Sequence, residues 1–204
     1  MFYRIADDRP LPRDPLTAIV SPRPIAWITT RGADGQVNLS PYSFFTAVAY
    51  SPPQVIVSSI GNKPDRDAGK DTFAQASATG MLCINIAGYE DREAVNASSA
   101  PFPAGVNEAA HLGLELAECE TIDCPRLAGA AASLECRLIQ VVDLEGEANR
   151  LMIARIEAIH LRDDCVTEEG RFDVTRYKPL TRLGYADFGA IETVFAMPRP
   201  RLPE

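Results

Sequence analysis

The chain has 204 residues, 46% of them hydrophobic and 24% charged, which is enough apolar material for one well-filled domain or one domain with an appendage. A formal net charge of −8 argues against a nucleic-acid binder, whose footprint is basic, but leaves room for a local basic pocket that holds one phosphate. No apolar run approaches the roughly 18 residues of a membrane span, and the opening "MFYRIADDRPLPRDP" lacks a charged-then-apolar leader pattern, so the expected location is the cytoplasm.

In chain order, "IVSPRPIAWITT" (19–30) becomes strand-like after its prolines, with Ile25, Trp27 and Thr29 on one face and Ala26, Ile28 and Thr30 on the other. Trp27 is expected to anchor the core or a dimer interface. Asp34-Gly35 suits a tight hairpin turn, because both positions tolerate positive φ. "VNLSPYSFF", Val37 to Phe45, is the returning strand, and "SPP" at 51–53 breaks it. It does not alternate as a simple core strand should: Asn38, Ser40, Tyr42 and Ser43 interrupt its apolar residues, and Pro41 cannot donate to a ladder. "QVIVSSI" (54–60) is a third strand, rich in β-branched residues.

A polar loop with Lys63, Arg66 and Lys70 follows, then a short helix with Asp71 as N-cap and Gly80 just past its end. "MLCINIAG" (81–88) is almost wholly apolar and reads as a central strand. Residues 89–113 read as a helical or irregular insertion, and 131–146 and 150–164 as two long strands joined at "EGEAN". The tail, 165–204, shows little regular pattern and is expected to pack on the barrel or on a dimer partner. One domain, 1–204, with six strands and short helices between them fits a closed or nearly closed, mainly β barrel. A parallel α/β sheet is disfavoured, because regular strand–helix alternation is missing.

Much chemistry is missing as well. Five cysteines without a C-x-x-C pair point to free thiols rather than a disulfide framework or zinc site. Two histidines, His111 and His160, starve a metal site or a Ser-His-Asp triad of candidates. No G-x-G-x-x-G, G-x-x-x-x-G-K-[ST] or G-x-S-x-G occurs. The numerous Asp and Glu residues read as a solvated surface. An enzyme built this way needs a bound cofactor for its difficult chemistry.

Three polar clusters remain: Thr29-Thr30; Asn38, Ser40 and Ser43; and Ser58-Ser59, followed by Lys63, Arg66, Lys70 and Thr72. If their strands are neighbours, hydroxyls, an amide and a few cations meet at one place. That mixture suits a phosphate attached to a planar polar ring, with the helix start near Asp71 and Thr72 adding free amides. The alternative is solvent-facing polarity, the ordinary role of such residues.

"SPRPIAWITT-RGADGQVNLSPYSFFTAVAYSPPQVIVSSI" followed by "KDTFAQASATGMLCINI", with "YKPLTRLGYADFG" and "MPRP" in the tail, resembles the flavin reductase-like family of FMN-binding split β-barrels from about Pro22 to Pro200. The resemblance implies a six-stranded antiparallel split barrel, usually a homodimer with FMN near the interface. It implies FMN contacts from Thr29 and Thr30, from Asn38, Leu39, Ser40, Pro41 and Ser43, from Ser58, Ser59 and Ile60, and from Lys70, Asp71 and Thr72, where the phosphate would sit. Arg182, in "PLTRLG", matches a tail position near the cofactor. It further implies hydride transfer from NAD(P)H to flavin, with reduced flavin or electrons passed to a separate monooxygenase or acceptor protein. An electron-transfer role like that of flavoredoxin, or a flavin-binding module without nicotinamide turnover, stays open. Stacked hydride transfer asks for proximity and alignment, so no catalytic acid or base is expected. His160 is either a half-buried strand residue or a neighbour of the nicotinamide.

Overall fold

The computed structural model describes residues 1–62 and 70–200. Lys63 and Arg66 lie outside the described residues. The elements are α1 (Leu16–Ile19), β1 (Arg23–Pro24), β2 (Ala26–Arg31), β3 (Val37–Tyr42), β4 (Phe44–Tyr50), β5 (Pro53–Ser59), α2 (Asp71–Thr79) and β6 (Met81–Ile86). They continue with α3 (Arg92–Ala97), α4 (Glu108–His111), β7 (Leu116–Glu118), β8 (Pro125–Leu127), β9 (Ala132–Asp143), β10 (Arg150–Leu161), β11 (Leu180–Arg182) and β12 (Phe188–Ala190). Among the described residues no helix is long and apolar enough to cross a membrane.

A seven-stranded antiparallel sheet in the order β3-β2-β6-β9-β10-β5-β4 carries the fold. Its two outermost strands are consecutive in the chain. Tyr42 pairs with Ala26 on one edge and Phe44 with Ser58 on the other, with only Ser43 between them. Two residues span at most about 7 Å, so the sheet has to curl until its edges meet at Ser43. The strand expected over 37–45 is therefore two strands, and the chain changes partner at Ser43. Counted as one bent strand, they give the six strands of a mainly β split barrel. Pro41 is tolerated because β3 is hydrogen-bonded in the sheet on one side only.

The two faces of β2 sort as their alternation predicts. Ala26 and Ile28 join Val55, Val57, Phe73, Leu82, Ile84 and Met152 in one buried cluster. Ile25 and Trp27 join Leu39, Val95, Ala109, Leu127 and Leu180 in a second cluster. This second cluster packs α3, α4 and the tail onto the barrel wall. Trp27 is a core residue, and its Nε1–H donates to Ser98 Oγ at 2.9 Å. Gly80 caps α2 in the left-handed region (φ 73°). The N-cap is Lys70 rather than Asp71, which is the first helical residue and places its carboxylate in the first turn.

The tail is more ordered than its sequence suggests. β11 pairs with β1 and β12 in a small second sheet, and Leu180 N–H donates to Ala87 O and Tyr89 N–H to Tyr177 O. Gly88 permits this crossing, since a Cβ there would lie 2.5 Å from Tyr177 O. Strands of three residues are too short to show a period.

One buried carboxylate pins the loop between β7 and β8. Glu135, in β9, is fully buried. It accepts from Glu120 N–H (2.7 Å), Thr121 N–H (2.7 Å) and Thr121 Oγ (2.5 Å), and it shares a hydrogen bond with His160 Nε2 (2.5 Å). Burial alone would raise its pKa. The hydrogen bonds outweigh burial and bring the pKa down to about 2. A folded pKa below the unfolded 4.5 stabilises the fold above that value, and this contribution is lost as pH falls toward about 2. Glu135→Gln turns an acceptor into a donor facing the loop N–H groups and should cost about 2–4 kcal/mol. Urea titrations at several pH values check this: wild-type stability should fall between roughly pH 4.5 and pH 2 by more than that of the variant.

Candidate functional site

The polar residues of β2 and β3 fall into two groups with different roles. Thr30 and Asn38 face each other across the β2–β3 ladder, and both reach α2. Thr30 Oγ donates to Gln75 Oε1 at 2.6 Å and Asn38 Nδ2 to Thr72 Oγ at 2.7 Å. Leu39 N–H donates to the buried carboxylate of Glu108 at 2.9 Å, which docks α4. Thr29 Oγ donates to Cys83 O and accepts from Asn85 Nδ2. Asn85 in turn bonds Trp27 O, Leu127 N–H and Ser133 Oγ. Thr29, Thr30, Asn38, Leu39 and Thr72 are thus buried and do not line the cleft that Lys70 borders. Thr30, Asn38, Leu39 and Thr72 hold α2 and α4 to the barrel, and Thr29 ties β2 to β6.

Docking α2 this way sets its N-cap, Lys70, at the mouth of a cleft. Lys70 Nζ sits 5.4 Å from the centre of the Tyr42 ring. The cleft, of about 230 Å³, is lined by Pro41, Tyr42, Ser43, Ser58, Ser59, Ile60, Lys70, Arg182 and Arg23, among others. It continues through Pro41, Tyr42, Ser43 and Arg182 into a second hollow of about 240 Å³, walled by Ile25, Val95, Asn96 and Phe188. Seven of the sequence-predicted residues meet here: Pro41, Ser43, Ser58, Ser59, Ile60, Lys70 and Arg182. Ser40 lies next to the Tyr42 hydroxyl, and burial pushes the Tyr42 phenol up to about 12, partly countered by the Thr72 and Ser40 hydroxyls. Asp71 lies away from this cleft, beside Asn38 and Gln75 on a different hollow. His160 lines none of these clefts; it is engaged with Glu135.

The strongest electrostatic feature is one that the polar clusters do not mark. β1 pairs with β11 so that Arg23 stands directly opposite Arg182. Arg23 is buried, and its guanidinium donates to Thr17 O (2.5 Å), Val20 O (2.5 Å) and Leu183 O (2.8 Å). Its Nε is buried without a hydrogen-bond partner. Arg182 donates to Tyr185 O (2.7 Å) and Asp187 O (3.3 Å). Neither arginine forms an ion pair with a carboxylate among the described residues. Burial, and then the neighbouring Arg182 charge, lower the pKa of Arg23. Among the described residues no acidic side chain lines either part of the cleft. Three cations around one hollow in a chain of net charge −8 make a focused positive field, suited to a small anion such as a phosphate. Arg23 escapes a search for polar clusters because it sits between two prolines, far in sequence from Arg182. The one available signal is its place inside the "SPRP" stretch.

The sequence pattern of the family described as Flavin reductase like domain matches residues 20–181. An uncharacterized protein of Halalkalibacterium halodurans is 31% identical over 93% of this chain and 91% of its own length. Among solved structures, nitrilotriacetate monooxygenase component B from Bacillus cereus superposes with a TM-score of 0.81 at 28% identity, covering 89% of this chain and 91% of that one. The 2-nitrobenzoate 2-nitroreductase of Pseudomonas fluorescens superposes with a TM-score of 0.80 at 26% identity, covering 93% and 91%.

The division between docking residues and cleft residues is testable by stability alone. Thr30→Val strands the Gln75 amide and should cost about 1–2 kcal/mol in urea denaturation. Ser43→Ala, at a side chain with no hydrogen bond among the described residues, should stay within about 0.5 kcal/mol of wild type.

Proposed function

The chain belongs to the flavin reductase-like family, and from that premise we propose that it is an FMN-binding oxidoreductase that takes hydride from NAD(P)H. The observation that carries this reading is the convergence of Arg23, Lys70 and Arg182 on one cleft, beside Ser43, Ser58 and Ser59. The residues present fit FMN at both ends. A phosphate asks for cations and polar donors, and the Arg23–Lys70–Arg182 end supplies them beside Ser43 and Ser59. A flat ring asks for flat apolar walls with few polar groups, and Ile25, Pro41 and Val95 supply these in the adjoining hollow. Ser58 Oγ already donates to Arg150 O, so on this reading Ser58 contributes through its backbone. Ile60 adds apolar surface to the same cleft.

FMN, when bound, supplies the two-electron chemistry, and the protein supplies binding, orientation and field. Arg182 and Lys70 would hold the phosphate as charges on two different elements, which fixes the direction of the long molecule in the cleft. Pro41 and Val95 would set the plane of the ring. Nothing in the hollow needs to act as acid or base, in keeping with hydride transfer by alignment. The likeness to a protein named as a monooxygenase component supports delivery of reduced flavin or electrons to a separate oxygenase. Exposed apolar residues on β4, β9 and β10, Val48, Tyr50, Ile139 and Ile159 among them, support a homodimer. A cytoplasmic location accords with the reducing surroundings that five free thiols suggest.

Purified protein should be yellow, or should bind FMN on titration, and anaerobic NADH or NADPH should bleach the flavin absorbance. A colourless protein that binds no FMN overturns the reading at its root, and bound FMN bleached by neither nucleotide overturns the nicotinamide part. Lys70→Ala should weaken FMN by about tenfold, the scale of one charge-assisted contact, and should leave riboflavin, which has no phosphate, nearly unaffected. Equal losses for both ligands would remove the phosphate role.

A further inference from the structure

A cavity of about 600 Å³ adjoins the cleft and takes no part in the reading above. It lies between the segment Tyr89–Asn96 and the strands β11 and β12, and it meets the ring hollow at Asn96, Ala186 and Phe188. We infer that this cavity is a second ligand site, for an uncharged planar aromatic molecule of the quinone class. The inference rests on reading the adjoining cleft as the FMN site, since that places the second ligand next to the ring.

Shape and chemistry both point this way. Two aromatic side chains line the cavity, Tyr89 and Phe188, and each has one ring face covered by a guanidinium: Arg92 at 4.3 Å and Arg182 at 4.3 Å. The cation holds the ring in place and leaves its other face for stacking. Asn96 offers one amide whose side chain has no hydrogen bond among the described residues, enough to orient a ring carbonyl. The charges differ from those of the first cleft. Glu93 and Glu192 line the cavity against a single cation, Arg92, which itself lies 3.8 Å from Glu93 and donates to Tyr89 O. Lys178 sits 3.1 Å from Glu192, outside the lining. Among the described residues each carboxylate has an ion-pair partner, so the lining is near neutral and leaves no cation free to offset the desolvation of a phosphate or sulfonate. Arg182 lies behind the Phe188 ring and does not line the cavity, which presents the aromatic face instead.

The test is equilibrium dialysis of 1,4-naphthoquinone against oxidised, FMN-loaded protein, a readout that needs no turnover. Wild type should bind the quinone. Ala190→Phe, which fills the cavity away from Arg182 and Lys70, should weaken it by at least about tenfold with FMN affinity unchanged. The anionic 1,4-naphthoquinone-2-sulfonate should bind about threefold or more weakly than the parent quinone, a difference on the scale of solvent-exposed charges. The surface double variant Glu93→Gln, Glu192→Gln should narrow that gap. No quinone binding by FMN-loaded wild type, full binding by Ala190→Phe, or equal affinity for the sulfonate each overturns the inference while leaving FMN binding intact. Failure to load FMN is a different result, the failure of the cofactor reading. The same dialysis on the unloaded protein, with the same variants, then decides the cavity by itself.

Discussion

The structure depends on a covalent constraint at Ser43. A sheet with two free edges exposes unpaired backbone groups on both and invites other strands. Here both edges belong to one continuous segment, Val37 to Tyr50, so the sheet cannot open without breaking one ladder or the other. The residues around the switch cannot all continue a regular ladder. Pro41 has no N–H to give, and Ser43 belongs to neither strand. That is where the cleft lies. The seam that closes the barrel exposes its hydroxyl and backbone to a ligand because no neighbouring strand uses them.

From that seam the polar residues divide by a simple rule. Those with a helix or strand to bond, namely Thr29, Thr30, Asn38, Thr72 and Asn85, are buried and satisfied inside the protein. Thr30, Asn38 and Thr72 place α2, and through α2 Lys70, while Thr29 and Asn85 tie β2 to β6, β8 and β9. Those without such a partner, such as Ser43, line the cleft. A buried hydroxyl network and a binding site therefore draw on the same residue types, and only the packing of α2 separates them.

This explains how much could be read from the sequence. The alternation at 25–30 gives both faces of β2 correctly, and Asp34-Gly35 gives the hairpin, because both are local. The six long strands and Gly80 are local as well. The partner change at Ser43 is not local: it follows from Phe44 pairing with Ser58 instead of continuing along β2, and a strand pattern over 37–45 carries no mark of it. The polar clusters do lie close together in space, yet five of the residues expected to touch the ligand turn inward. Side-chain direction depends on register and on the helix that docks, and neither is written in spacing. Arg23 and Arg182 show the opposite case. They are 159 positions apart and become neighbours only through the three-stranded sheet formed by two short pieces of the tail and β1. Such short strands leave no period to detect.

The pairing of those two arginines also bears on energetics. Placing two guanidinium groups opposite each other, one of them buried, opposes folding through desolvation and repulsion. The fold offsets this with backbone carbonyls, three for Arg23 and two for Arg182, rather than with carboxylates. A carboxylate would stabilise the pair better and would also cancel the field. Carbonyl dipoles satisfy the donors and leave the net charge in place. Among the described residues these two like charges are kept close, solvated by neutral groups and met by no acid on the cleft walls. On the proposed reading, an anion held in the cleft would offset this repulsion, which would couple its binding to the stability of the small sheet that builds the cleft.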